Sequence, residues 1–294
     1  LIQLLERRQI DDIKWNRLVS EKAMGLPYAY TWYLDAVADH WQAWVWDDYT
    51  GIYPFQKKRK YGLPYSLTPF LTQQLGYVGT EIAPEMLLEL LGSEFVMFEQ
   101  QWPYYQKVSN PKAFSPNHIL VLNRSFSDIY QDFNQNTKRN IKKSENQNIQ
   151  IEVDTDLTES DLSFIIKHSK IDFNPNRTEK LQNLCINASK HEAIAVYKVY
   201  SEQKLISLAI FILNPLRAVY LLAVSNKLGF EKGANFLIVK QFLSDQSEKI
   251  ALLDFEGSRI EGVARFYKGF GATEIQYPIV SSKSIKPISK IFKK

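Results

Sequence analysis

Apolar residues recur at helical spacing over 11–22 and 31–41, so the chain is expected to open with two amphipathic helices. Two short apolar runs follow, Ala43-Trp44-Val45-Trp46 and Ile52-Tyr53-Pro54-Phe55. The segment between them, Asp47-Asp48-Tyr49-Thr50-Gly51, predicts a hairpin turn. Next come a loop rich in Pro and Tyr over 61–79, a helix starting near Pro84, and strands over 95–98 and 118–122. The intervening 102–116 carries Pro and Tyr without a period and is expected to be irregular. Over 125–147 the spacing is helical, with Ser125 or Ser127 as cap and Ile129, Tyr130 and Phe133 as the apolar stripe.

Beyond that helix the pattern predicts a strand over 150–153, helices over 159–170 and 178–190, and strands over 193–200, 205–213 and 218–224. A helix over 234–244, a strand over 250–255, a helix over 260–270 and a strand over 274–280 complete it. Each half thus has a helix pair, a strand hairpin, then alternating strand and helix. The chain reads as two diverged copies of one unit, 1–136 and 137–294, with a basic tail over 281–294. Hairpins demand antiparallel neighbours and strand-helix-strand crossovers parallel ones, so the fold class is α+β with mixed sheets.

Composition narrows the class. At 294 residues, with 45% hydrophobic and 13% aromatic content, the chain can bury one large core or two of average size. Its net charge of +4 suits phosphate-bearing ligands but does not mark a nucleic-acid binder. One cysteine, Cys185, allows no internal disulfide, and the four histidines are too widely separated for a metal site, so no metal is expected. A reducing, cytoplasmic location fits best, with no apolar run near the ~18 residues of a membrane span. The chain opens on Leu1 rather than methionine, which leaves a targeting segment open.

Four groups of residues carry candidate chemistry. Asp254, Glu256, Ser258 and Arg259 cluster where a strand ends, the usual place for ligand contacts in open sheets. Glu256 suits a proton acceptor, or a turn carboxylate paired with Arg259. The 226–235 loop lies between a strand and a helix, so its amides and the helix dipole suit an anion. There Gly229 and Gly233 permit close approach and Lys227 and Lys232 add charge, although Gly233 also suits a simple tight turn. Lys138, Arg139, Lys142 and Lys143 share one helix face, either for a phosphate-rich partner or as a solvated face. Tyr28, Trp32, Tyr33 and the run from Lys57 to Lys60 suit an acceptor pocket, and core packing explains the rings equally well.

Three stretches carry a family resemblance: Asn136-Thr137-Lys138-Arg139-Asn140-Ile141-Lys142-Lys143-Ser144-Glu145; Val224 through Asn235, including Phe230, Ala234 and Asn235; and the block from Asp254 to Ala272 with Phe266-Tyr267-Lys268. In these the chain resembles the FemABX peptidyltransferase-like group, which carries two GNAT (acyl-CoA N-acyltransferase) folds in tandem. The resemblance implies two such units, the first on the acceptor side and the second holding donor and catalytic groups. It implies transfer of an acyl or aminoacyl group to an amine of a small molecule or cell-wall precursor, with acyl-CoA or aminoacyl-tRNA as donor and no tightly bound cofactor. The group's coiled-coil arm is absent, and the 224–235 loop departs from the usual GNAT run of closely spaced glycines.

By the same resemblance Lys268 stabilises the oxyanion of a tetrahedral intermediate, and Tyr267 lines the donor channel. A solvated lysine at a helix carboxyl end is the plain alternative for Lys268. Two other functions stay open: an acyl-CoA-dependent N-acetyltransferase using the second unit alone, and a binding protein that keeps the fold without activity.

Overall fold

The computed structural model, which describes residues 1–80 and 82–282, opens on an edge strand that the pattern does not announce, β1 (Ile2–Glu6). Asp11 then starts α1 (Asp12–Lys22) by accepting from the Ile13 and Lys14 amides. Helix α2 (Thr31–Val37) stops four residues short of expectation, and Trp41 begins the hairpin of β2 (Trp41–Trp46) and β3 (Gly51–Gln56). The expected turn holds, with Trp46 opposite Gly51. Strand β4 (Lys58–Lys60) follows, and β5 (Leu63–Leu67) and β6 (Val78–Gly79) fall where a loop was expected over 61–79, because polar and Pro-containing edge strands lack clean alternation. Helix α3 (Pro84–Glu94) and β7 (Met97–Gln101) follow.

Strand β8 (Ala113–Val121) begins inside the segment expected to be irregular. The single helix expected over 125–147 is two, α4 (Phe126–Gln131) and α5 (Gln135–Glu145), because Asn134 caps α5 through the Thr137 amide. Then come β9 (Gln150–Asp154), α6 (Glu159–His168), α7 (Pro175–Lys190), β10 (Ile194–Ser201), β11 (Lys204–Ile212) and β12 (Ala218–Ser225). Helices α8 (Lys227–Glu231) and α9 (Ala234–Gln246), β13 (Leu252–Asp254), α10 (Glu261–Gly269) and β14 (Thr273–Ser281) complete the chain as described.

Two compact units result: Leu1–Ser115 with the segment from Gln276 on, and Pro116–Ile275. The parting lies at 115/116 rather than at the expected 136/137, because Ile129, Phe133 and Ile141 of α4, α5 and their junction sink into the second unit's core. Of the basic tail, residues from Lys283 on lie outside those described.

The first unit holds the antiparallel order β1-β2-β3-β6, and separately β4-β5-β7, with Ile279–Ser281 of β14 on β7. Its core gathers Trp44, Tyr53, Phe55, Phe95 and Trp102. The second unit's sheet runs β9-β10-β11-β12-β13-β8. Phe211 stacks on Phe242 of α9 at 3.8 Å over one face of it. All pairs are antiparallel except β12 with β13, which is parallel and spans only Ala218 opposite Leu253 and Val219 opposite Asp254. Past those residues β12 runs on to Ser225 while β13 ends, so the two strands part.

Candidate functional site

Tyr220 and Phe255 are the first residues beyond the last paired positions of β12 and β13. Both pack on one ring of α10: Tyr267 stacks on Phe255 at 4.7 Å and meets Tyr220 edge-on at 6.2 Å. The Tyr267 ring therefore packs beside the mouth of the parted strands, where the resemblance has it lining a donor channel. Burial above all, with the nearby Glu256 and Asp254 charges, pushes the Tyr267 phenol well above the ordinary tyrosine value. Tyr220 is pushed up likewise by burial, and its hydroxyl is buried without a hydrogen-bond partner.

Lys268 follows Tyr267 in the last turn of α10, with 52% of its side chain exposed. Its Nζ donates to Glu274 Oε2 at 2.7 Å, and that ammonium holds the Glu274 carboxyl below the usual carboxylate range. The lysine sits at an open rim rather than inside an enclosed cavity. On the other side of Glu274 Oε2, at 3.7 Å, stands Nε2 of His118, a residue of β8 whose side chain has no exposed surface. The His118 ring lies 5.7 Å from that of Tyr267. His118 gave no spacing signal of its own; its only trace is parity, since it shares the core-facing positions of Leu120 and Leu122.

Asp254 is fully buried and ion-paired to Arg217, also buried, and its other oxygen accepts from the Glu256 amide at 2.8 Å. It anchors the strand end instead of facing a ligand. Glu256 takes a left-handed backbone, φ 53°, an uncommon state for a residue other than glycine. Its carbonyl accepts from the His118 amide at 3.3 Å. Beside it, Gly257 packs so tightly that a Cβ would lie 1.7 Å from the Pro116 carbonyl oxygen. Ser258 turns inward on its own loop, accepting from the Ile260 amide at 3.0 Å, and Arg259 is exposed.

The 226–235 segment is not an open loop. Asn226 caps α8 through the Gly229 amide, and the amides of Phe230, Lys232 and Gly233 bond to Asn226, Leu228 and Phe230 carbonyls. Four of the amides expected to face an anion are thereby used within the chain. Gly229 is needed because a Cβ would meet the Ile206 carbonyl oxygen at 2.2 Å, and Gly233 because its φ is +69° against Ser144. Ala234 is core, and Asn235 accepts from the Ser207 and Ser225 hydroxyls. What faces solvent is Phe230, 65% exposed, with Lys227, which lies 3.9 Å from Glu231.

Helix α5 lies beside this segment, with Lys143 Nζ donating to the Glu231 carbonyl at 3.4 Å. Arg139, Lys142 and Lys143 are exposed along it, whereas Lys138 turns back to the Gln131 carbonyl and the Tyr130 ring. In the first unit, Tyr28 is core, edge-on to Tyr33, and Trp32 is half-buried against Tyr30. Lys57 pairs with Glu94 and lines a pocket of about 600 Å³ with Asp39, His40, Gln42, Lys58, Arg59 and Tyr65. Neither Tyr28 nor Trp32 borders that pocket, so the expected acceptor group divides. Among the described residues no metal-type cluster occurs, and no helix is long and apolar enough to cross a membrane.

No protein-family model matches the chain, and no curated protein matches it. Solved structures do. FemX aligns over 97% of this chain and 99% of its own with a TM-score of 0.67 at 11% identity. A tandem GNAT protein from the clavulanic acid biosynthesis pathway aligns over 96% and 98%, TM-score 0.59, 9% identity. L-PGS from Bacillus licheniformis aligns over 96% and 95%, TM-score 0.56, 11% identity. At such identities the likeness speaks for the fold: this chain has the FemABX-like tandem GNAT fold.

Proposed function

We propose that the protein forms an amide by transferring an aminoacyl or acyl group from an activated donor to an amine acceptor. The observation that carries this reading is the parting of β12 and β13 after Val219 and Asp254, with Tyr267 of α10 packed on the residues that follow and Lys268 next to it in the same helix. A carbonyl entering there would be attacked by the neutral amine nitrogen, forming the C–N bond. The C–O or C–S bond to the leaving group then breaks, and the proton lost by the amine ends on that group. Lys268, anchored by one N–H on Glu274, keeps two others for the oxygen that gains charge. In this reading Glu256 receives the amine's proton. No serine-histidine or cysteine-histidine pair is needed for such direct attack.

Aminoacyl-tRNA is the donor the second unit favours. With the Gly229, Phe230, Lys232 and Gly233 amides already bonded, a backbone cradle for the pyrophosphate of acyl-CoA is weakened, while Arg139, Lys142, Lys143 and Lys227 with exposed Phe230 suit a polyanion met by side chains. The acceptor class is an amine on a cell-wall or surface-polymer precursor. Acetyl transfer from acetyl-CoA is the second reading, supported by the likeness to a tandem GNAT protein. Thermal unfolding with charged tRNA and, separately, with acetyl-CoA tests the choice, because a ligand that binds only the native state raises the melting temperature. Protection by acetyl-CoA alone overturns the tRNA reading. Protection by neither, with Lys268→Met as active in the cell as wild type, leaves a binding protein.

A further inference from the structure

A histidine whose side chain has no exposed surface normally has its ring nitrogens satisfied, yet neither Nδ1 nor Nε2 of His118 has a hydrogen-bond partner. The ring cannot easily swing away to find one. On the strand side the His118 amide donates to the Glu256 carbonyl and its own carbonyl accepts from the Phe255 amide at 2.9 Å. What Nε2 faces is Glu274 Oε2 at 3.7 Å, beyond hydrogen-bond length but well inside the range of charge interaction.

That oxygen is already engaged, by the ammonium of Lys268 at 2.7 Å. The charged or titratable groups around the imidazole are Glu274 of β14, Lys268 and Tyr267 of α10, and Asp254 of β13, itself neutralised by Arg217. Burial disfavours the imidazolium most, Glu274 opposes that, Lys268 adds to it, and Asp254 opposes it, with the net effect downward from 6.5. At neutral pH the ring is uncharged.

A proton added to His118 changes the competition for one oxygen. The new imidazolium is a donor on both nitrogens, and closing the gap of Nε2 to Glu274 by less than an ångström makes a charge-assisted hydrogen bond. Glu274 sits on a rim and is free to move by that amount, whereas His118 is packed. We propose that His118 is a positioning residue for Lys268, acting through Glu274: the neutral ring leaves the carboxylate to anchor the ammonium, and a proton on the ring draws the carboxylate off and lets the ammonium go. The catalytic meaning rests on the amide-forming reading, in which an unanchored Lys268 no longer meets the oxyanion; the coupling itself does not.

The test is NMR on the whole chain without substrate, following the His118 imidazole and the Lys268 Nζ signals through pH 4 to 8 (on the order of two units either side of free histidine). In the wild type the two signals should step at one midpoint, below that of free histidine. Lys268→Met should raise the His118 midpoint and Glu274→Gln should lower it, and both replacements lie on the exposed rim, so folding is kept. In His118→Asn the Lys268 step should vanish over that range. A His118 midpoint indifferent to both rim variants, or a Lys268 signal with no step at the His118 midpoint, overturns the proposal. Because no donor or acceptor enters the measurement, its failure leaves the amide-forming reading standing, and loss of that reading leaves the coupling measurable.

Discussion

The Lys268 ammonium and the His118 imidazole address the same carboxylate oxygen of Glu274, at 2.7 and 3.7 Å, one from the exposed end of α10 and the other from the buried face of β8. A cation at a solvent-exposed rim is thus tied to a group that water does not reach. Lys268→Met is expected to abolish transfer and leave the melting temperature near that of wild type, since a half-exposed side chain contributes little to folding. Glu274→Gln keeps the ammonium but loosens its anchor, so transfer should fall by roughly one to two orders of magnitude. Single-turnover rates and a thermal melt of each variant check both statements.

The buried His118 makes stability depend on pH. Its folded value lies below 6.5, so under pH 6.5 the unfolded chain takes up a proton that the folded chain refuses. This contribution is fully present above pH 6.5 and is lost as pH falls through the folded value. His118→Asn should flatten that part of the stability profile, as denaturant midpoints measured at pH 7.5 and at pH 5 (roughly one unit or more either side of free histidine) would reveal.

Arg217 and Asp254 are both sealed from water and bonded to each other at the base of the parting strands. Arg217→Met strands a carboxylate in the core and is expected to cost about 3–5 kcal/mol. The double variant Arg217→Met, Asp254→Leu should recover much of that, and urea melts of the single and double variants distinguish a structural pair from one whose charges serve substrate. A double variant as unstable as the single one would refute the structural assignment.

Gly257 has the backbone of Pro116 where a side chain would go, with 1.7 Å left to its carbonyl oxygen. Gly257→Ala must push β8 away from the end of β13 and should cost about 3 kcal/mol. Since His118 hangs on the same backbone contact, its imidazole signal should shift as well, whereas Gly262→Ala, where nothing lies within 4 Å, should change neither.

If charged tRNA is the donor, the exposed face beside α8 carries its backbone. Lys142→Glu with Lys143→Glu should remove most of the thermal protection by tRNA and weaken its salt dependence, at a small cost in the stability of the free protein because both lie in the last turn of α5. Equal protection of the variant and the wild type would move the tRNA contact elsewhere.

Residue patterning was enough for most elements of the second unit, because buried strands such as Leu205 to Leu213 advertise themselves locally. It placed Lys268 next to Tyr267 on the last helix, and it carried the strand one residue past its end at Asp254. It failed where local and tertiary preferences disagree. Asn134 broke one expected helix into two, and the glycines at 229 and 233, read as an anion cradle, serve close packing against Ile206 and Ser144. Asp254, read as a ligand contact, is spent on Arg217, thirty-seven positions away in the chain.

What the sequence by itself determined is the order of most strands and helices, which follows from periodicity, while the candidate lysine came with the family resemblance that Phe266-Tyr267-Lys268 carries. Only the tertiary structure decided which polar groups are satisfied: whether the Asp254 carboxylate finds a guanidinium, whether the loop amides find carbonyls, and whether an imidazole on β8 shares an oxygen with an ammonium on α10. Charge and hydrogen-bond partners depend on distances across the sheet, and those are set by packing that no local spacing encodes.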